Sequence, residues 1–411
     1  MISKTVMAFL PSLLKIRKKE PICAYIYDIH ALKNHVQHLR ETLPGYCALY
    51  YAVKANPDTS ILQALEKDID GFDTASEGEI VKVLSLSDKP IIFGAPAKKD
   101  KELEYLSTGE LQTVNIESER DMQRLNRLGS MVGKKLSVLI RVNSTYHVAN
   151  SSHRMTGVPT QFGIEEDEIP TLLKKLVEFP YLEVKGFHFH AMSNNLDAHD
   201  HLKFISFCRD RMLGWKAKFS LVSATTLNAG GGIGVNYHQP ENPFHWETFS
   251  SGLHQMEDTF THEGLHLILE LGRYMVAHYG YYVAEVMDIK KNHGEHFALI
   301  RGGTHHLRLP AAWKMSHPHT IYPVEKWFDE PLPRPGIKGK NVTVAGELCT
   351  PNDILIRQAY VERLRAGDLV IFTMAGAYGW TISHHDFLSH SHPVFHYLDS
   401  SLEKRRFPEL L

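Results

Sequence analysis

The sequence predicts an α/β protein: a (β/α)8, TIM-like barrel followed by a second, β-rich domain. Three observations lead there. Eight strand-length apolar segments recur at 48–53, 71–75, 91–95, 113–116, 136–142, 184–190, 225–229 and 265–270, about the length such a barrel occupies. Helix-length amphipathic stretches, such as 59–68, 77–86 and 119–128, separate most of them; this alternation implies parallel strands joined by crossover helices. Past residue 280 the rhythm changes to strand-like segments at 281–287, 297–300, 341–345 and 369–372, divided by turns and a proline-rich stretch at 331–335. A chain of 411 residues exceeds one simple core. The expected division is a barrel over 36–279 and a β-rich domain of 1–35 plus 280–411, with an edge strand at 23–27 joining the latter.

Composition narrows the function classes. With 45 basic and 47 acidic residues the chain is nearly neutral, so it carries no nucleic-acid footprint and no polybasic membrane patch, and the basic run at 15–19 reads as a solvated segment. The apolar start is short, interrupted by Pro11 and without a small-residue cleavage site, which fits a tail or helix better than a signal peptide. No apolar run is long enough for a bilayer. Cys23, Cys47, Cys208 and Cys349 show neither CxxC pairing nor zinc spacing, which points to a reducing, cytoplasmic setting and no structural metal. Most of the 26 histidines must serve surface or packing roles.

Active sites of such barrels lie at the carboxyl ends of the strands. Asp28 is placed to cap a helix running to about Leu43, and the first barrel strand then ends in Lys54, before the Asn56-Pro57 break. An ammonium is costly to bury unpaired, so Lys54 either reaches solvent or is a pKa-shifted amine. The second strand carries Asp73 and the fifth Arg141 and Asn143; the sixth presents His188 and His190 on one face. The seventh opens into Asn228-Ala-Gly230-Gly231-Gly232-Ile-Gly234, and the eighth ends Glu270-Leu-Gly272-Arg273. Bare glycine amides after strand seven suit a phosphate, although ordinary tight turns also use glycine. Arg273 is placed for a charge-assisted contact to that phosphate, or for a surface ion pair. A phosphate site with a lysine suggests pyridoxal 5'-phosphate, whose aldehyde condenses with an amine. Glu270 is then the acid for its ring nitrogen and His190 the ring stacked on its face. Core packing is the plainer reading of His188 and His190. A divalent metal on the His-x-His pair is a rival, but it leaves Lys54 and the glycines without a role.

Assembled in order, these residues resemble the fold-type III pyridoxal-phosphate decarboxylases, the diaminopimelate, ornithine and arginine decarboxylase group, over roughly 22–395. Tyr51-Ala-Val-Lys-Ala-Asn56, Gly71-Phe-Asp-Thr-Ala-Ser76, Gly186-Phe-His-Phe-His190, Asn228–Gly232, Glu270-Leu-Gly-Arg273, Gly346-Glu-Leu-Cys349 with Asp353, and Ala375-Gly-Ala-Tyr378 are similar to the family's successive motifs. The resemblance implies an alanine-racemase/ornithine-decarboxylase-like fold and Lys54 as cofactor lysine. It implies that Ser193, Gly230, Gly231, Gly232, Arg273 and Tyr378 hold the phosphate, with Asp73 and Arg141 behind the direct contacts. It also implies Cys349 as the group that returns a proton to the α-carbon, and a homodimer whose active site lies at the subunit interface.

Departures from the family concern the substrate, a small-molecule amino acid or citrate conjugate. Thr350 replaces the acid that reads a distal amine, Leu309-Pro310 stands for the Arg-Pro that grips a distal carboxylate, and Met192 and Leu271 replace a glycine and a proline. With His305, His306, Arg308, Trp313 and Asp353 nearby in sequence, the expected pocket takes a larger anionic amine. The pattern is similar to siderophore-biosynthesis decarboxylases of the staphyloferrin B type, which act on a citrate conjugate of 2,3-diaminopropionate. Diaminopimelate decarboxylation is the alternative. An alanine-racemase-like enzyme and a non-catalytic pyridoxal-phosphate protein follow, and a metal-dependent barrel hydrolase is more distant.

Overall fold

The structure, a computed structural model, describes residues 2–17, 20–146, 153–154, 156–328 and 331–399. It divides into two compact units: Lys33–Asn236 with Glu241–Met275, and Met1–Leu32 with Tyr237–Pro240 and Val276–Leu411.

The first unit is a closed parallel barrel. After β1 (Cys23–Asp28), its strands are β2 (Cys47–Ala52), β3 (Gly71–Thr74), β4 (Ile91–Phe93), β5 (Thr113–Ile116), β6 (Leu136–Asn143), β7 (Leu182–Phe189), β8 (Thr226–Asn228) and β9 (His266–Leu271). Each pairs in parallel with the next, and β9 returns to β2. Closure leaves the barrel with no exposed edge. The register sets Arg141, His188 and Asn228 side by side, and Asp73 beside Ala52. Local chemistry starts and stops the helices. Ser118 accepts from the Asp121 amide to begin Glu119–Val132, and Gly133 ends it at φ +66°. Asp58 caps Thr59–Leu65 in the same way.

The second unit is an eight-stranded mixed sheet. It contains β10 (Gly280–Asn292), β11 (Glu295–Ile300), β12 (His319–Tyr322), β13 (Gly336–Ala345), β14 (Ile354–Arg365), β15 (Leu369–Phe372) and β16 (Val394–Leu398), together with β1. β1 is antiparallel to β10 on one side and parallel to β16 on the other, so it lies inside the sheet instead of at the expected edge. The strand β14 was not anticipated. Its charged residues alternate poorly with apolar ones, and only Ile354, Leu355, Ile356, Val361 and Leu364 are buried, a spacing that reads as helical in sequence.

The N-terminal apolar stretch is the helix Lys4–Ile16, which buries Val6, Leu10 and Leu13 against Ile22, Ile26, Tyr281 and Val283. At its end Arg17 donates to both oxygens of Glu285 at 2.8 Å. Arg17 therefore belongs to a buried ion pair and not to a solvated run; residues 18–19 of that run lie outside the described residues. Among the described residues no helix is long and apolar enough to cross a membrane. Cys23, Cys47 and Cys208 are buried free thiols, and Cys349 is an exposed one.

Candidate active site

Strand β2 ends at Ala52, and Lys54 sits in the single 3-10 turn Val53–Ala55 that follows it. Val53 and Ala55 are buried and fix the turn. The Lys54 side chain itself is 43% exposed, so it is not a buried lysine, and its Nζ donates to Asp73 Oδ2 at 3.0 Å. Asp73 is buried at the end of β3. Burial pushes its pKa up, repulsion from Glu270 adds to this, and the Lys54 ammonium opposes both without cancelling them.

Glu270, near the end of β9, is the second buried carboxyl. Its Oε1 accepts from Asn228 Nδ2 at 2.6 Å, and its Oε2 lies 3.4 Å from His188 Nε2. Burial alone would raise its pKa, but attraction and a hydrogen bond from His188, with the Lys54 ammonium, outweigh burial and hold the carboxyl well below its usual range. Two carboxyls of one site are thus driven apart, with Glu270 remaining the anion.

The loop after β8 is shaped by close approaches that only glycine permits. Added Cβ atoms would stand 1.9 Å from the Glu270 carbonyl at Gly231 and 2.3 Å from the Met192 carbonyl at Gly232, where φ is +96°. The Gly230 amide donates to Asn228 Oδ1 at 2.9 Å and the Gly231 amide to His190 Nδ1 at 3.2 Å. Accepting that bond leaves the ring proton of neutral His190 on Nε2. Burial, with Lys54 and Arg141 adding to it, lowers the His190 pKa well below its ordinary value, so the ring is neutral and planar beside the loop. Among the described residues the amides of Gly232 and Ile233 have no acceptor. Two free amides in a glycine cradle fit a phosphate; the paired amine, the anionic carboxylate and the neutral ring fit the rest of pyridoxal phosphate.

Nearby, Met192–Ser193 forms a two-residue strand paired with His153–Arg154. Arg273, buried, opens the short helix Arg273–Val276. At Gly272 an added Cβ would stand 2.8 Å from that of Ala55, which packs β9 against the Lys54 turn.

Sequence reasoning missed a buried network behind these groups. Lys98 is fully buried and donates to Asp121 Oδ2 and to the Ala95 carbonyl, each at 2.7 Å. Arg141 donates to Glu117 Oε1 at 3.1 Å and lies 4.6 Å above the Phe162 ring, while Glu117 Oε2 accepts from the Gly163 amide at 2.8 Å. Glu117 immediately follows β5, so the strand-end rule that found Asp73 could have found it. Lys98 had no local signal.

On the second unit, the expected substrate residues separate into two groups. Asp353 is buried, with Oδ1 accepting from the Thr304 amide and hydroxyl at 2.6 and 2.7 Å and Oδ2 from the Leu348 amide at 2.9 Å. It anchors the loop before Cys349 and is not presented to a ligand. His305 is also fully buried, 3.9 Å ring to ring from His306 and with Nε2 3.6 Å from Glu347. Arg308 and Thr350, in contrast, line one cavity of about 790 Å³. Cys349 is exposed, and half-buried Tyr378 adopts φ +50°.

His188, His190 and Glu270 also place potential ligand atoms within 4.8 Å of one another. The positive Lys54 among them and the bond already made by His190 Nδ1 favour an organic cofactor over a cation there.

A lysine, a phosphate cradle and a ring acid at the mouth of a parallel barrel define a pyridoxal-phosphate enzyme. Residues 29–277 match the sequence model of the family of pyridoxal-dependent decarboxylases, in its pyridoxal binding domain, and the chain belongs to this family. It is 41% identical over 391 residues, 94% of this chain and 96% of the relative, to the 2-[(L-alanin-3-ylcarbamoyl)methyl]-2-hydroxybutanedioate decarboxylase of Staphylococcus aureus. It is 29% identical to the diaminopimelate decarboxylase of Vibrio cholerae, over 87% of this chain and 83% of that one. The crystal structure of diaminopimelate decarboxylase from Helicobacter pylori complexed with L-lysine has the same fold, with a TM-score of 0.81 at 24% identity over 95% and 94% of the two chains. The protein is therefore a pyridoxal-phosphate-dependent decarboxylase on a barrel-plus-sheet fold.

Proposed function

We propose that this enzyme removes the α-carboxylate of a 2,3-diaminopropionate whose second nitrogen is acylated by citrate, a step of siderophore biosynthesis. The S. aureus relative is named for that chemistry, an alanyl group joined through its β-nitrogen to a hydroxy-tricarboxylic acid. The observation that carries the decarboxylase reading is Glu270, a carboxylate kept anionic inside the barrel end by its neighbours. When bound, pyridoxal phosphate supplies an aldehyde that condenses with amines and a protonated ring that accepts the electrons left by carbon dioxide.

In this reading Lys54 anchors the cofactor and yields to the substrate amine. Glu270 keeps the ring nitrogen protonated, and His190 covers one face. The Gly230–Gly232 loop, Ser193, Gly272, Arg273 and Tyr378 take the phosphate. Asp73 holds Lys54 in place, and Arg141, tied to Glu117, stands behind the direct contacts. Cys349 returns a proton to the α-carbon; its exposure supports a homodimer in which it serves the partner's barrel. Four free thiols support a cytoplasmic location.

The test is carbon dioxide release from purified holoenzyme with a substrate panel. The citryl conjugate is expected to turn over with a kcat/KM far above diaminopimelate, ornithine, lysine and arginine. Release from diaminopimelate alone would replace this reading with lysine formation.

A further inference from the structure

We propose that Asn228 is a positioning residue: its side-chain amide is a strut that fixes the Glu270 carboxylate relative to the glycine loop, so that ring acid and phosphate cradle keep one spacing. The inference rests on the reading of Glu270 as the ring acid, and every residue in it belongs to the barrel unit.

Asn228 ends β8 and is fully buried, yet both polar atoms of its side chain are engaged. Its Oδ1 accepts from the Gly230 amide at 2.9 Å, and its Nδ2 donates to Glu270 Oε1 at 2.6 Å. The backbone closes the figure, because the Glu270 amide donates to the Gly230 carbonyl at 2.7 Å. Asn228, Gly230 and Glu270 are thus joined in a ring of three hydrogen bonds, and Gly230 is held through both its amide and its carbonyl. The loop continues from there to its other anchors. The Gly231 amide reaches His190 Nδ1 at 3.2 Å, and the Gly232 carbonyl accepts from the Asn195 amide at 2.8 Å. A displacement of the loop is therefore felt at the carboxylate, and the reverse.

The chemistry of the position calls for asparagine. A backbone N–H only donates, so the atom facing Gly230 must accept; a carboxylate only accepts, so the atom facing Glu270 must donate. A neutral amide meets both demands. Leucine, of similar size, meets neither and leaves a buried N–H and a buried carboxylate oxygen short of a partner. Aspartate meets the first, but the second only as the acid, since two carboxylates this close cannot both ionise. On the other oxygen of Glu270, His188 Nε2 stands at 3.4 Å, a looser contact. The 2.6 Å bond from Asn228 is charge-assisted and directional, and it sets the rotation of the carboxylate. Misplacing a reacting geometry by about 1 Å lowers a rate roughly a hundredfold.

The experiment is a double-mutant cycle on holoenzyme with Asn228→Leu, Glu270→Gln and the double variant, together with calorimetric titration of inorganic phosphate into each apoprotein. Carbon dioxide release is measured with the best substrate of the panel above. Asn228→Leu should lower kcat about a hundredfold with little change in KM. The double variant should be no slower than Glu270→Gln alone, since the strut acts through that carboxylate. Phosphate affinity of the Asn228→Leu apoprotein should fall about tenfold as the loop shifts. Asn228→Asp supplies a second reading that leucine's effect on folding does not touch. Its kcat should approach wild type near about pH 6 and fall toward the leucine variant by about pH 9, as the proton shared with Glu270 leaves. The other titratable groups around Glu270, which are His188, His190, Lys54, Asp73 and Tyr50, are the same in both proteins. Losses that multiply in the double variant, with an aspartate profile parallel to wild type, overturn the strut. Unchanged kcat and phosphate affinity in Asn228→Leu do so as well. If Glu270→Gln keeps wild-type kcat while Asn228→Leu still weakens phosphate binding, the ring-acid reading fails and the spacing role of Asn228 stands.

Discussion

Charged groups in the barrel and in the second unit's cavity follow opposite rules. At the barrel end the buried network is internally paired: Lys54 has Asp73, Arg141 has Glu117, Lys98 has Asp121, and Glu270 has Asn228 and His188. In the cavity Arg308, Lys314 and Arg357 have none among the described residues. The difference teaches where a charge needs a partner. Cofactor chemistry needs fixed protonation states, and pairing inside a poorly solvated site supplies them. The three cavity cations are exposed instead, and solvent stands in for a partner.

Breaking the paired region should cost more than breaking the unpaired one. Lys54→Ala should reduce carbon dioxide release to background, measured by gas evolution at saturating substrate. Glu270→Gln removes the anion but keeps the Asn228 contact; kcat should fall roughly 10²- to 10³-fold, as when other preorganised electrostatic groups are lost, with little change in KM. Gly231→Ala forces a Cβ to 1.9 Å from the Glu270 carbonyl. The cradle must then move, and cofactor affinity, titrated by absorbance into apoprotein, should weaken at least about tenfold.

The smallest effect is on stability, and both units share it. His201 in the barrel unit and His317 in the second are fully buried, and burial lowers each pKa to about 4. A histidine whose folded pKa lies below its unfolded value of about 6.5 favours the folded chain when neutral. Its contribution is therefore complete above about pH 6.5 and is lost as pH falls toward 4, by up to roughly 3 kcal/mol for each. Urea unfolding at pH 7 and pH 4.5 should show the loss, and His201→Leu should reduce it. Equal acid sensitivity in wild type and variant would remove His201 from the account.

Much of this was legible in the sequence because barrel strands are buried on both faces and read as continuous apolar runs. The polar residues that end those runs, Asp73, His188, Asn228 and Glu270, stand out against them. Lys54 was found for the same reason, although its turn and its exposure were not. The second unit was harder. The polar face of β14 hid a 12-residue strand, and the burial of Asp353 and His305 cannot be read from a polar residue in a loop. Lys98 and Asp121 meet across 23 residues of chain, and the cavity joins Arg308 to Arg357. Such pairings depend on the folded sheet and helices, not on any local spacing.

The most direct test of the central claim is to reduce the holoenzyme with borohydride and map the modified residue by mass spectrometry. The account expects a single pyridoxyl-modified peptide carrying the label on Lys54, with loss of the visible absorbance and of carbon dioxide release in parallel. A label on the buried Lys98, on any other lysine, or on none would contradict it.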